Sequence, residues 1–284
     1  GYYMLNLAFS LAISILAVVG TVCFFKAEKN ERQDFLILML IGIVSMFPFI
    51  FNNFLYGDDY WGFQKSIHTA SHLSSSIIMR RPFNALLFVG TDSIGFDQSY
   101  VYRTICILVS ILNAYLLYHN ARRYRGRKFA LAFAALSLCC ICTMDSIAYM
   151  STATVVFSLL FSEMAFVCFD EGKRPFVRYG CSMMLLLSGF FFYQISTPII
   201  FVMFVVGQYR EKKTNDFMDA LKLLLFYGAA GLLYMLLSSW LMHLYGYTMD
   251  QATQNRATFI HTPEQIIFKI NWLFQTVIPQ AVLK

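Results

Sequence analysis

Apolar residues run in long blocks along nearly the whole chain, broken by short polar stretches. About 20 apolar residues in a helix cross the hydrocarbon of a bilayer. The stretches 4–25, 35–55, 100–119, 129–147, 150–169 and 219–243 meet that length, so the pattern predicts an all-α polytopic membrane protein. The block Tyr179 to Gln208 is long for one crossing and short for two.

Charge decides that block. The run Arg122-Arg123-Tyr124-Arg125-Gly126-Arg127-Lys128 is the most basic in the chain and belongs on the cytoplasmic side. Counting spans outward, Lys26, Lys29 and Arg32 are inside, as are Lys173, Arg174 and Arg178. Arg210, Lys212 and Lys213 join them only if 179–208 is a pair of short antiparallel helices. Ser196-Thr197-Pro198 supplies the break, because proline lacks an N–H and disfavours helix in the residue before it. Tyr193 and Gln194 then face the outer side. Intramembrane breaks of this kind border a cavity or are covered by protein.

The same count puts 56–99 outside, as a loop with its own structure. Ile67, Ala70, Leu73, Ile77 and Ile78 recur at helical spacing among Ser and His residues, which predicts an external interfacial helix on the membrane surface. A second surface helix follows from Phe83 to Val89. The chain reads as a single transmembrane domain over 1–284, ending inside an apolar pattern, as the N-terminal part of a longer chain would.

Composition agrees. The chain is 58% hydrophobic and 13% charged, against roughly 25% charged in a soluble domain. The net charge of +6 sits in loops between spans, where it sets orientation, so it does not imply nucleic acid. The seven cysteines fall in or near apolar segments without metal spacing and read as small hydrophobes.

Against this background a few polar residues stand out. Asp58 and Asp59 are adjacent, just past the outer end of a span. Two neighbouring carboxylates repel, which suits one of them to accept a proton near neutral pH. Arg80 and Arg81 share that side, and an arginine fork binds phosphate at two points. Lys65 is a further phosphate contact. Tyr60, with Tyr56, Trp61 and Phe63, forms an aromatic cluster around the carboxylates, as interfacial belts do. His68 and His72 are four apart on one helical face but lack an evident third metal ligand. Glu163 lies within a predicted span, where an ionisable group costs about 2.5–3.5 kcal/mol, and is read first as paired with a neighbouring helix. Asp145 is a weaker candidate for the outer site.

The order Asp58-Asp59-Tyr60, Arg81-Pro82, Tyr193-Gln194 resembles the bacterial glucosyltransferases that modify O-antigen from a polyprenyl-phosphate sugar, a GT-C branch of membrane glycosyltransferases. The likeness covers about 52 to 200. It departs at Arg80, where the family more often has glycine, in the absence of a tryptophan before that motif, and in an extra N-terminal span. The resemblance implies a GT-C-like helical bundle in the bacterial inner membrane, with its site on the periplasmic face. It implies glucose or another hexose on undecaprenyl phosphate as donor and a glycan or lipid-linked acceptor. One of Asp58 and Asp59 is then the base, Arg81 with Arg80 or Lys65 steadies the leaving phosphate, and Tyr60, Tyr193 and Gln194 contact substrate. Direct displacement inverts the anomeric centre. No nucleotide is expected, and no Gly-rich phosphate loop is present. A divalent cation on the aspartates is left open. The competing reading is a transporter or flippase of lipid-linked sugars working through Glu163 and the broken helix, although no internal repeat of the kind many transporters carry is visible.

Overall fold

The computed structural model describes residues 28–50, 76–85, 99–140, 143, 153–208 and 216–247, together with 264, 267 and 271. Within them the chain is all-helical, with no strand. The helices are α1 (Lys29–Ile50), α2 (Ser99–Arg125), α3 (Arg127–Cys139), α4 (Ala153–Glu171), α5 (Ser182–Phe192), α6 (Ile199–Gln208) and α7 (Asp216–Leu244). A π-helical turn, Phe176–Cys181, leads into α5. Four of the described helices, α1, α2, α4 and α7, are long and apolar enough to cross a membrane.

Helix α2 is the hub and packs on α1, α3, α4 and α6. Its buried stripe, Ile107, Ile111, Ala114, Tyr118 and Ala121, alternates steps of four and three, the spacing of one helix face. Partners approach through small residues or steps of four: Asp34, Leu38, Gly42 and Met46 on α1, and Ala130, Ala134 and Leu138 on α3. Side-chain amides stitch neighbouring backbones. Asn113 Nδ2 donates to the Val156 carbonyl at 3.0 Å, and Asn120 Nδ2 to the Met203 carbonyl at 2.8 Å. Polar side chains that bond across helices are a common device where lipid offers no hydrophobic drive.

The expected break in 179–208 is present. Helix α5 ends at Phe192, Tyr193 is extended at φ −160°, Gln194–Ser196 form a 3₁₀ turn, and α6 begins at Ile199. Thr197 Oγ1 donates to the Gln194 carbonyl at 2.8 Å, and Pro198 brings no N–H to the new helix. The expected 129–147 helix is corrected: α3 stops at Cys139, and Cys140 is extended. Beyond the stop, Thr143 Oγ1 donates to the Ser137 carbonyl at 2.8 Å, one of the last-turn acceptors that the helix end leaves open.

The contacts sort into two ends. At one end Arg122 meets Glu28 and Glu31, Arg123 meets Asp170 and Glu171, and His119 meets Glu171. Buried Asp34 takes a two-point bond from Arg127 and one from the Tyr118 hydroxyl. Those hydrogen bonds and the adjacent charge hold the Arg127 guanidinium above its ordinary pKa. At the other end Arg103 Nη1 donates to the Phe49 carbonyl at 3.2 Å, and the segment 76–85 docks beside the α5–α6 break. The basic run 122–128 and the Tyr193-Gln194 break therefore lie at opposite ends of the bundle.

Candidate functional site

Asp58, Asp59, Tyr60, Lys65, His68, His72 and Asp145 lie outside the described residues. So does most of the expected pair of surface helices. Arg80, Arg81, Tyr193, Gln194 and Glu163 are described, and the first four meet.

The meeting begins with a helix stop. The Arg80 N–H donates to the Ile77 carbonyl at 2.9 Å and the Arg81 N–H to the Ser76 carbonyl at 2.7 Å. That pair of bonds is a Schellman ending, which needs a left-handed residue between them. Arg80 takes that place at φ 57°. Pro82 then forbids further helix. The C-terminus of α7 ends in the same way with glycine: Gly246, at φ 72°, donates to His243, and Tyr247 to Met242. The two ends also touch, through Ile77, Met242 and Tyr247. An arginine in the left-handed region costs about 1–2 kcal/mol more than glycine there. The residues around its carbonyl supply the compensation.

That carbonyl accepts two hydrogen bonds. Tyr234 of α7 donates its hydroxyl at 2.9 Å, and Gln194 donates Nε2 at 3.2 Å. Gln194 Nε2 also bonds the Tyr234 hydroxyl, and Gln194 Oε1 accepts from Arg81 Nε at 3.0 Å. The amide has one workable orientation. Reversed, it would set oxygen against the Arg80 carbonyl and N–H against the Arg81 Nε–H. The Arg81 guanidinium also lies over the Tyr193 ring, 4.2 Å from its centre, a favourable cation–π contact. Tyr193 is held in turn by Ser158 Oγ, which donates to its carbonyl at 2.7 Å. Phe83, three residues past Arg80, packs on Phe191 and Phe192 at the end of α5.

The two arginines differ. Arg80 is buried, and its Nη1 reaches the Met235 sulfur at 3.2 Å. Arg81 is half-buried and commits only Nε to a hydrogen bond among the described residues. Its two terminal amino groups have no hydrogen-bond partner among the described residues. No carboxylate pairs with Arg81 among the described residues, and a guanidinium with neutral partners there is chemically suited to an oxyanion. No group of three His, Cys, Asp or Glu side chains placed to hold a metal occurs among the described residues.

Tyr234 was not singled out by sequence reasoning. A signal existed: Tyr227 and Tyr234 stand seven apart in an apolar helix, hence on one face. Both reach the break, Tyr227 at Thr197 Oγ1 (2.8 Å) and Tyr234 at Gln194. Glu163 is 1% exposed, and its Oε2 has no hydrogen-bond partner among the described residues, so the expected pairing with a neighbouring helix is not seen there. Comparison of the chain with family models, with curated proteins and with solved structures found no match in any of the three.

Proposed function

We propose that the chain is a multi-pass glycosyltransferase of the bacterial inner membrane, with a GT-C-like bundle and its active centre on the periplasmic face. It moves a hexose, glucose first among candidates, from a polyprenyl-phosphate donor to a glycan or lipid-linked acceptor. One observation carries the reading: Arg81-Pro82 and Tyr193-Gln194, two motifs more than a hundred residues apart, meet around a guanidinium whose two amino groups take no hydrogen-bond partner among the described residues. A cation held on neutral partners in this way suits the phosphate of a lipid-linked sugar.

In the reaction, one of Asp58 and Asp59 accepts the proton of the acceptor hydroxyl. The acceptor oxygen bonds the anomeric carbon as the bond from that carbon to the phosphate oxygen breaks, and the electron pair leaves on the lipid phosphate. Arg81 meets the charge that develops there. Attack opposite the leaving group inverts the centre. The lipid tail stays between spans while the sugar sits in water, and the sugar is already activated, so no nucleotide enters.

The test is sugar transfer in membranes supplied with polyprenyl-phosphate glucose and envelope glycan, comparing the parent with Asp58→Asn, Asp59→Asn and Arg81→Ala at matched expression. Collapse in one aspartate variant and in Arg81→Ala is expected. Unchanged transfer in both Asn variants rejects the base. The second reading, a transporter of lipid-linked sugars, draws on the buried Glu163. It requires that Glu163→Gln abolish sugar translocation while the aspartate variants do not.

A further inference from the structure

The end of the bundle that holds Arg81 contains one arrangement with no role in the chemistry above. Tyr234 is a buried residue of α7, stacked on Phe190 with ring centres 5.2 Å apart and packed on Phe191 at 5.6 Å. A phenol buried this deeply must give its hydroxyl a partner. It gives it to the Arg80 carbonyl, a backbone atom whose position sets where Arg81 begins. Gln194 grips the same carbonyl with Nε2 and the Arg81 side chain with Oε1. Arg81 is thereby fixed from both its backbone and its side chain, and its flat face is covered by Tyr193.

A guanidinium can offer an anion either a side fork, Nε with one amino group, or an end fork, the two amino groups together. Gln194 Oε1 occupies Nε, so the side fork is taken. Among the described residues nothing takes the end fork. We propose that Tyr234 and Gln194 are positioning residues that hold the Arg80 carbonyl so that Arg81 presents its end fork to a single phosphate group. The inference rests on the phosphate-binding reading of Arg81 but not on sugar transfer. Tyr234 does not touch the ligand. It joins three distant parts of the chain, α7, the α5–α6 break and the turn at Arg80, at the atom that orients the fork.

The phosphate could arrive on a polyprenyl lipid or as free inorganic phosphate, and the test separates these sources. The protein in detergent is titrated with farnesyl phosphate, with farnesol as the same tail without phosphate, and with inorganic phosphate, following tryptophan fluorescence. The parent is expected to bind farnesyl phosphate well above farnesol, and Arg81→Ala to erase that difference. Tyr234→Phe deletes one hydroxyl and its hydrogen bonds. It should weaken farnesyl phosphate about 3- to 10-fold, the effect of one such bond, while farnesol binding stays unchanged. A defect of folding alone would lower both ligands together. Should Tyr234→Phe not fold, Gln194→Met, which removes the grip from the other side, is expected to give the same selective loss. Leu236→Ala, exposed on the same helix, should bind as the parent does.

Equal binding of farnesyl phosphate and farnesol by the parent overturns the proposal. So does parental affinity in Tyr234→Phe or, where that variant fails to fold, in Gln194→Met. Selective loss in the variant upholds it, and inorganic phosphate competing at similar concentration would assign the site to the phosphate rather than the lipid. If phosphate selectivity behaves as expected but no sugar is transferred, the clamp stands and the glycosyltransferase reading falls.

Discussion

Gly189 tests the packing that supports the site. It lies on the face of α5 turned to α4, and a Cβ there would come 2.6 Å from Ser162 Oγ, 3.3 Å from the Ser158 carbonyl oxygen and 3.4 Å from Thr197 Cγ2. The first contact is far inside van der Waals distance, so Gly189→Ala must push the helices apart or turn Ser162. Overpacking of this kind costs about 1–3 kcal/mol. Alanine returns up to about 1 kcal/mol over glycine in a helix interior. The net expectation is a loss of about 0–2 kcal/mol, with a specific suppressor. Ser162 Oγ has no hydrogen-bond partner among the described residues, so Ser162→Ala removes the obstacle without sacrificing a bond seen there. The double variant should be more stable than the two single changes predict by about 0.5 kcal/mol or more, the coupling expected of residues in contact. Unfolding of the four proteins in detergent, by heat or denaturant, measures this. The reasoning is refuted if Gly189→Ala is as stable as the parent and the two substitutions add without coupling. The same shift should reach the site, because Ser158 Oγ bonds both the Gly189 and Tyr193 carbonyls, and Tyr193 carries Arg81.

Two further expectations concern single positions. At Arg80 the left-handed backbone ranks substitutions as Gly, then Asn, then Val in falling stability, with Val lower than Gly by about 1–2 kcal/mol or more; thermal scans in detergent read the order, and Val equal to Gly would show that the turn does not need φ 57°. At the opposite end Asp34 is buried whereas the Arg127 side chain is 46% exposed. Arg127→Ala should therefore destabilise more than Asp34→Asn, because it strands a buried carboxylate while the converse frees an arginine to hydrate; the reverse order of thermal midpoints would refute the asymmetry.

The sequence is most legible where one physical rule acts alone. Length and hydropathy located α1, α2, α4 and α7 because about 20 apolar residues have few other uses. The α5–α6 break was legible because proline and loop charge pointed to the same place. Other features were hidden because a local choice contradicted the usual one. The Schellman turn was not visible because arginine fills the glycine position, and only the bonds to its carbonyl make that tolerable. Tyr234 was not visible because a tyrosine in an apolar helix has a ready explanation as an interfacial ring. The end of α3 at Cys139 was not visible because the apolar pattern runs on past it, and hydropathy does not register a hydroxyl such as that of Thr143 capping a last-turn carbonyl.

The two ends of the bundle treat arginine differently, and the contrast can be tested by exchange. At the basic end Arg122, Arg123 and Arg127 are answered by carboxylates. Among the described residues Arg81 is answered by an amide oxygen and an aromatic face, both neutral. Neutral partners orient a cation without cancelling its charge, which is what an anion site requires. Gln194→Glu converts one arrangement into the other with almost no change of shape. The new carboxylate keeps the acceptor on Arg81 Nε and can take an amino group of the end fork as well, while losing the donation to the Arg80 carbonyl. Folding should weaken by about 1–3 kcal/mol, because a carboxylate oxygen then faces the Arg80 carbonyl where Gln194 had donated a hydrogen bond. Affinity for a phosphate should fall by at least tenfold, because the ligand meets a fork already occupied and a negative charge beside it. Thermal midpoint and farnesyl phosphate titration on the same sample separate the two effects. A protein that stays folded and binds phosphate as before would mean that Arg81 does not hold the anion at all.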